Sequence, residues 1–195
     1  MHARERWLID PAHSKLRFVL RHMILSEIRG GFGQWGGELS AEPGDPSRSS
    51  VEVWISLGSI DTGDPERDDH LRSAELLDVA RFPRAEFRST EVAPSGDAEA
   101  LLTGRLDLHG VPGTVELRVT AQRSWVDEAG RPRAEYLVRG RINRQSFGLR
   151  WNQDLDFGGV VVGDHVDLEA RVQVVRLVEA VRRVGGSPRE TAASA

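Results

Sequence analysis

A chain of 195 residues is long enough for one domain with a real core, and its formal charge of −4 gives no reason to expect nucleic acid as a partner. With no cysteine, disulfides and thiolate metal sites are excluded. Lys15 is the sole lysine, and the arginines are scattered among acids rather than gathered into a patch.

The opening residues, Met1 to Asp10, lack the apolar core of a signal peptide, and no run reaches membrane-spanning length. The expectation is a cytoplasmic protein without stable membrane insertion; a leader trimmed away beforehand would make it periplasmic or secreted. Trp7-Leu8-Ile9-Asp10-Pro11 leads into a turn through His13-Ser14. From Leu16 the pattern alternates, with Leu16, Phe18, Leu20 and His22 on one face and Lys15, Arg17 and Arg21 on the other, which is a strand with one wet face. Met23 to Ile28 reads as a brief bend. The glycine-dense run Gly30 to Gly37 lies in strand-like surroundings, where glycines mean bulges or sharp curvature. It lacks the GK[ST] ending of a phosphate cradle.

After a loop from Glu42 to Ser50, Val51, Val53, Ile55 and Leu57 alternate with Glu52, Trp54 and Ser56. Asp61 to Pro83 then breaks the β pattern. Asp64 suits an N-cap, Pro65 the first helical position, and Glu66, Asp68 and Asp69 the positive end of a helix dipole. Strand character resumes over Ala85 to Val92, with Phe87 inward, and over Leu101 to His109. His109 to Gly113 reads as a hairpin turn returning through Val115, Leu117 and Val119. A turn at Glu128 to Pro132 precedes Tyr136, Val138, Gly140 and Ile142. The last strand runs from Val166 to Val174, and the tail from Arg182 is small, polar and read as disordered.

About eight strands with short turns and one helical insertion make the chain all-β, and an antiparallel barrel is the economical solution because closure removes both sheet edges. A two-sheet sandwich would give similar alternation. The inward set would fill such a barrel by default, since roughly eight strands leave an interior that is packed or just wide enough for one small ligand.

The polar residues point weakly to chemistry. Asp68, Asp69 and His70, with His13, His22, His109 and His165, form no HxH or HExxH pair, so no metal site is assigned. His22, on an apolar face, reads as a core histidine. Arg67 with Asp68 or Asp69 reads first as an ion pair or cap pinning the helix to the barrel. His13-Ser14 has no evident acid partner and there is no G-x-S-x-G, so no catalytic residue is assigned. Asn143-Arg144 could reach a ligand oxygen, or Arg144 could pair with Asp154 or Asp156. Trp35, Trp125 and Trp151 read as packing aromatics. Trp54 lies on the wet face, where it could mark a contact surface or simply cover part of the barrel, and a homodimer is one expectation from it.

Several motifs in order resemble the YceI-like family of lipocalin-like barrels that bind polyisoprenoid lipids. They are Trp7 to Ser14; His22 with Ile28 to Phe32; Arg67 to Ser73 with Arg81-Phe82-Pro83 and Phe87; Gly104 to Leu106 with Leu108 to Val111; Asn143-Arg144 with Phe147-Gly148; and Val162 to Val166. The resemblance covers residues 6 to 177. Leu76 and Leu77 stand in Ser73 to Asp78 where the family usually has two aromatics, and Gln145-Ser146 stands where an acid usually precedes the FG pair. Many relatives are exported.

The resemblance implies an antiparallel eight-stranded lipocalin-like β-barrel over residues 6–178 with an apolar central cavity, and a tail over 179–195. It implies non-catalytic binding, storage or transport of a long-chain isoprenoid lipid, a polyprenyl chain or a quinone precursor, with that lipid as ligand and no other cofactor. The tunnel and lid would be Phe18, Leu20, Val53, Ile55, Leu71, Leu76, Leu77, Phe82, Phe87, Leu106, Leu108 and Phe147. Arg67, His70, Asn143 and Arg144 would serve the head group at the mouth. Two other functions stay open at this point: an enzyme on an apolar substrate with His70 and Asp68 or Asp69 as acid–base groups, and an interaction barrel with a filled core.

Overall fold

The computed structural model describes residues 4–22, 26–151 and 162–177, with His22 described by its backbone alone. The expectations for Met23 to Leu25, the His22 side chain, Asp154, Asp156 and the tail lie outside the described residues. Within them the chain forms eleven strands of one antiparallel sheet. The first six are β1 (Glu5–Ile9), β2 (Lys15–His22), β3 (Ser26–Phe32), β4 (Trp35–Ala41), β5 (Ser50–Ser56) and β6 (Ile60–Asp61). The remaining five are β7 (Arg84–Pro94), β8 (Glu99–Leu108), β9 (Val111–Val126), β10 (Pro132–Asn143) and β11 (Val162–Arg176).

Eleven reduces to eight once the bends are recognised. β1 and β2 pair in series with β11, broken by a 3-10 turn at Pro11–His13 that Asp10 caps. β4 and β3 run on from each other across Gly33-Gln34, and β5 and β6 across a 3-10 turn at Leu57–Ser59. The result is a closed eight-stranded antiparallel barrel, its seam made where β11 meets β1 and β2. Each bend costs the ladder a few bonds and returns curvature, which a small barrel needs. Leu57, expected on the strand face, is instead drawn into its turn and almost fully buried.

The turn between β8 and β9 is tighter than expected. It uses only His109 and Gly110, both with positive φ, as a hairpin turn following the right-handed twist requires. Histidine is among the residues that tolerate this region.

The helical insertion forms as its sequence dictates. α1 (Pro65–Arg72) starts with Asp64 accepting a hydrogen bond from the Arg67 backbone N–H at 3.2 Å. Arg72 fastens it to the barrel, donating to the carbonyls of Gly58 at 3.0 Å and Ile60 at 2.6 Å.

The interior is not uniform. Trp35, Ala134, Ala170, Val172 and Val174 fill one half, with Trp7, Ile9, Leu16, Tyr136 and Val138 against them. Burial there pushes the Tyr136 phenol pKa up. The half under α1 is lined by apolar side chains around an opening.

Candidate functional site

The opening is an apolar cavity of about 670 Å³ that occupies the α1 end of the barrel. Phe18 and Leu20 come from β2, Ile28 and Phe32 from β3, and Ile55 from β5. Leu106 and Leu108 come from β8, Ile142 from β10, and Val166 and Leu168 from β11. Phe18 and Leu20, Leu106 and Leu108, and Val166 and Leu168 are two residues apart and Ile28 and Phe32 four, so strand alternation turns each pair to the same side. Leu71, Leu76 and Leu77 reach in from α1 and the turn after it, where a Leu77 N–H to Leu71 O bond of 3.1 Å folds the segment back over the opening. Opposite, Ile55 both lines the cavity and packs on the filled half. The cavity is therefore a cup with one closed end, where a tunnel had been the expectation.

Phe18, Leu20, Ile55, Leu71, Leu76, Leu77, Leu106 and Leu108 of the expected set line this cup. Val53, Phe82, Phe87 and Phe147 do not. Val53 sits one inward position deeper than Ile55 and packs between the two halves. The Phe87 ring is taken up by Gly104 on β8, and the Phe147 ring by Gly113 on β9. Phe82 covers Gly110 and meets the His109 ring edge-on at 4.7 Å. In each case the ring is consumed by a neighbouring residue that leaves space for it, which alternation cannot reveal. Ile28, Phe32, Ile142, Val166 and Leu168 were missed as lining; the alternation through Ile142 and from Val166 to Leu168 was legible, whereas Ile28, expected in a bend, belongs to β3.

The polar residues at the mouth are largely engaged by the fold. Arg67 donates from Nε to Thr62 Oγ1 at 2.8 Å and from Nη2 to Thr62 O at 3.1 Å, and its Nη1 lies 3.4 Å from Asp64. Its partner is thus Asp64, where Asp68 or Asp69 had been expected. Asp68 is buried and accepts from the Thr62 N–H and hydroxyl, the latter at 2.6 Å. Asp69 points out to Arg72 at 3.0 Å. His70 lines the cavity, with Nε2 3.1 Å from Glu75 and its ring edge-on to Trp151 at 5.1 Å. His70, Asp68 and Asp69 thus diverge to separate partners. Among the described residues no three histidine, aspartate or glutamate side chains gather as metal ligands.

Asn143 and Arg144 also differ from the expectation of head-group contact. Asn143 caps a 3-10 turn at Arg144–Phe147 by accepting from the Gln145 N–H at 2.9 Å, and is not part of the cavity wall. Arg144 is buried at the wall and donates to four backbone carbonyls, those of Leu149, Trp151, Val162 and Gly163. Asp164 lies 3.7 Å away. Burial lowers the Arg144 pKa, with Asp164 opposing the shift. The guanidinium joins the chain before residue 152 to the chain after residue 161 and so frames one side of the mouth.

The family model described as the YceI-like domain matches residues 7–174. The chain belongs to the YceI-like family. Protein YceI of Salmonella newport (strain SL254) is 38% identical over 137 residues, covering 70% of this chain and 71% of that one. Among solved structures, Burkholderia cenocepacia BcnA superimposes with a TM-score of 0.74 at 24% identity, over 85% of this chain and 98% of its own. A polyisoprenoid binding domain from Saccharophagus degradans, implicated in plant cell wall breakdown, does so at 0.63 and 18% identity, over 87% and 97%. These likenesses are of fold, and they agree with the closed barrel described above.

On the outside of this YceI-like barrel, Trp54 stands 37% exposed on β5, with the Arg84 guanidinium 5.1 Å over its ring. No helix among the described residues is long and apolar enough to cross a membrane.

Proposed function

We propose that the protein binds an isoprenoid-type lipid in the cup, without covalent chemistry, and stores or carries it. The observation that carries this reading is the apolar cavity itself, about 670 Å³ within a YceI-like barrel. The polyisoprenoid binding of the Saccharophagus degradans domain, which shares the fold, supports the choice of lipid. Residues of the cup wall such as Leu20, Leu106 and Leu168 would contact the chain, and Leu71, Leu76 and Leu77 would cover it.

Energetics favour carriage over capture. Burying an apolar chain is worth about 0.8 kcal/mol per CH₂ relative to water. The competing state is a membrane or micelle that is equally apolar, so most of that gain cancels. Selection then rests on shape and on the few polar groups at the mouth. Arg67 and Arg144 hold the mouth in place, and His70 lines it with its Nε2 turned to Glu75.

Native mass spectrometry of the purified protein, with solvent extraction of what it carries, tests the reading. An adduct with the mass of an isoprenoid, removable by extraction, is the expected result. A protein that stays empty after incubation with prenols of several lengths would overturn it.

A further inference from the structure

Resting on the isoprenoid reading, we propose that the preferred ligand is an isoprenoid of roughly four five-carbon units with an uncharged head, and that the mouth rejects the corresponding diphosphate. Two independent observations carry this, one of size and one of charge.

The size comes from the cup. At about 30 Å³ for each water-sized group in a liquid, a cavity of about 670 Å³ holds roughly twenty non-hydrogen atoms. That is the carbon content of roughly four isoprene units. A longer chain has nowhere to continue, because Ile55 at the inner wall rests on the packed cluster of Trp35, Ala170 and Val172. The excess would protrude through the mouth into water and return no further burial.

The charge comes from the mouth. Among the described residues, Asp64, Glu66, Arg67 and Arg144 are the charged side chains that line the cavity. Arg67 lies 3.4 Å from Asp64 with its other donors on Thr62. Arg144 lies 3.7 Å from Asp164 with its donors on four carbonyls. Glu66 has no cationic partner among the described residues; with Asp164 balancing Arg144 from outside the lining, the mouth carries one negative charge more than positive. His70, which also lines the mouth, turns its Nε2 to Glu75.

Recognition of a diphosphate calls for the opposite arrangement: free arginine forks, lysines or a bare helix N-terminus. The N-terminus of α1 is at this mouth, but the Asp64 carboxylate already accepts its Arg67 N–H. A neutral head meets none of this repulsion, and the Glu66 carboxylate can accept a hydrogen bond from a hydroxyl.

The experiment compares geranylgeraniol, geranylgeranyl diphosphate and a nine-unit prenol on the full chain by fluorescence titration, using Trp151 beside the mouth, with native mass spectrometry as the stoichiometric check. The alcohol is expected to bind about tenfold more tightly than its diphosphate, since like charges at the mouth oppose the latter. The nine-unit prenol is expected to bind no more tightly than geranylgeraniol. In a Glu66→Lys variant the preference for alcohol over diphosphate should fall by about tenfold. A diphosphate bound as tightly as the alcohol, or affinity that keeps rising beyond the four-unit chain, overturns the inference while leaving the isoprenoid reading intact. Failure of all three to bind overturns both.

Discussion

The Phe87 ring on β7 lies so close to Gly104 on β8 that a Cβ at residue 104 would stand 2.4 Å from it. The contact is cross-strand, and it spends an aromatic side chain on closing the sheet rather than on lining the cavity. Phe18 meets Gly30 on β3 in a similar way, with 2.5 Å to a notional Cβ, while still reaching the cup. Replacing Gly104 with alanine should therefore destabilise the protein by about 1–3 kcal/mol, the usual cost of overpacking. Chemical denaturation checks this, and an unchanged midpoint would mean that the ring is free to move aside.

Arg144 gives a second prediction. Removing it leaves one buried and three part-buried carbonyls without these donors, and the penalty per buried unmet group is about 1–3 kcal/mol. Arg144→Met should lower stability by about 3 kcal/mol or more. Arg144→Lys should not restore it, because a single ammonium cannot reach carbonyls that a planar fork serves from several directions. Thermal melts of the two variants check this, and near-native melting of the lysine form would contradict the assigned geometry.

Arg133 binds Asp10 at 2.6 Å and Asp127 at 2.9 Å, tying the β9–β10 turn to the bend between β1 and β2. Burial raises the Asp10 pKa, but hydrogen bonds from Arg133 and His13 outweigh it and the net shift is downward. The Asp127 pKa is lowered by its hydrogen bonds from the Arg133 side chain and the Arg131 backbone. Because both folded-state values lie below the unfolded ones, the stabilisation is complete above the unfolded pKa and is lost as pH falls through the folded values. Melting temperature should drop between about pH 5 and pH 2, and Asp10→Asn should reduce that drop. An equal drop in the variant would remove Asp10 from the account.

Filling the cup should abolish its capacity without unfolding the barrel. A Leu106→Trp, Leu168→Trp double variant places two large rings across the lumen from β8 and β11. Prenol affinity is expected to fall at least about tenfold, while overpacking costs about 1–3 kcal/mol in stability. Binding titrations beside thermal melts check both halves of this expectation.

The barrel was legible because alternation survives bending. Phe18 and Leu20, Leu106 and Leu108, and Val166 and Leu168 kept their parity in the sheet. The start of α1 was legible because Asp64 and Pro65 act locally, before any tertiary contact forms. What could not be read was which inward residues meet empty space. That depends on partners distant in sequence, as when Phe147 settles on Gly113 and Phe82 on Gly110. The true partner of Arg67 was hidden for a similar reason, since Thr62 and Asp64 draw it back toward the loop that starts the helix. Arg144 was read as a head-group contact or a partner of Asp154 or Asp156, whereas it binds the carbonyls of Leu149 and Trp151 and of Val162 and Gly163, a pairing no local pattern encodes.

The central claim is that the lumen beneath α1 holds the lipid, and the most direct test is a structure determined with a bound prenol. The account predicts an elongated ligand running from Leu76 and Leu77 at the mouth to Ile55 at the inner wall, with its head beside Glu66 and His70. A prenol held instead on the outer face near Trp54, or a lumen filled by the protein's own side chains, would contradict it.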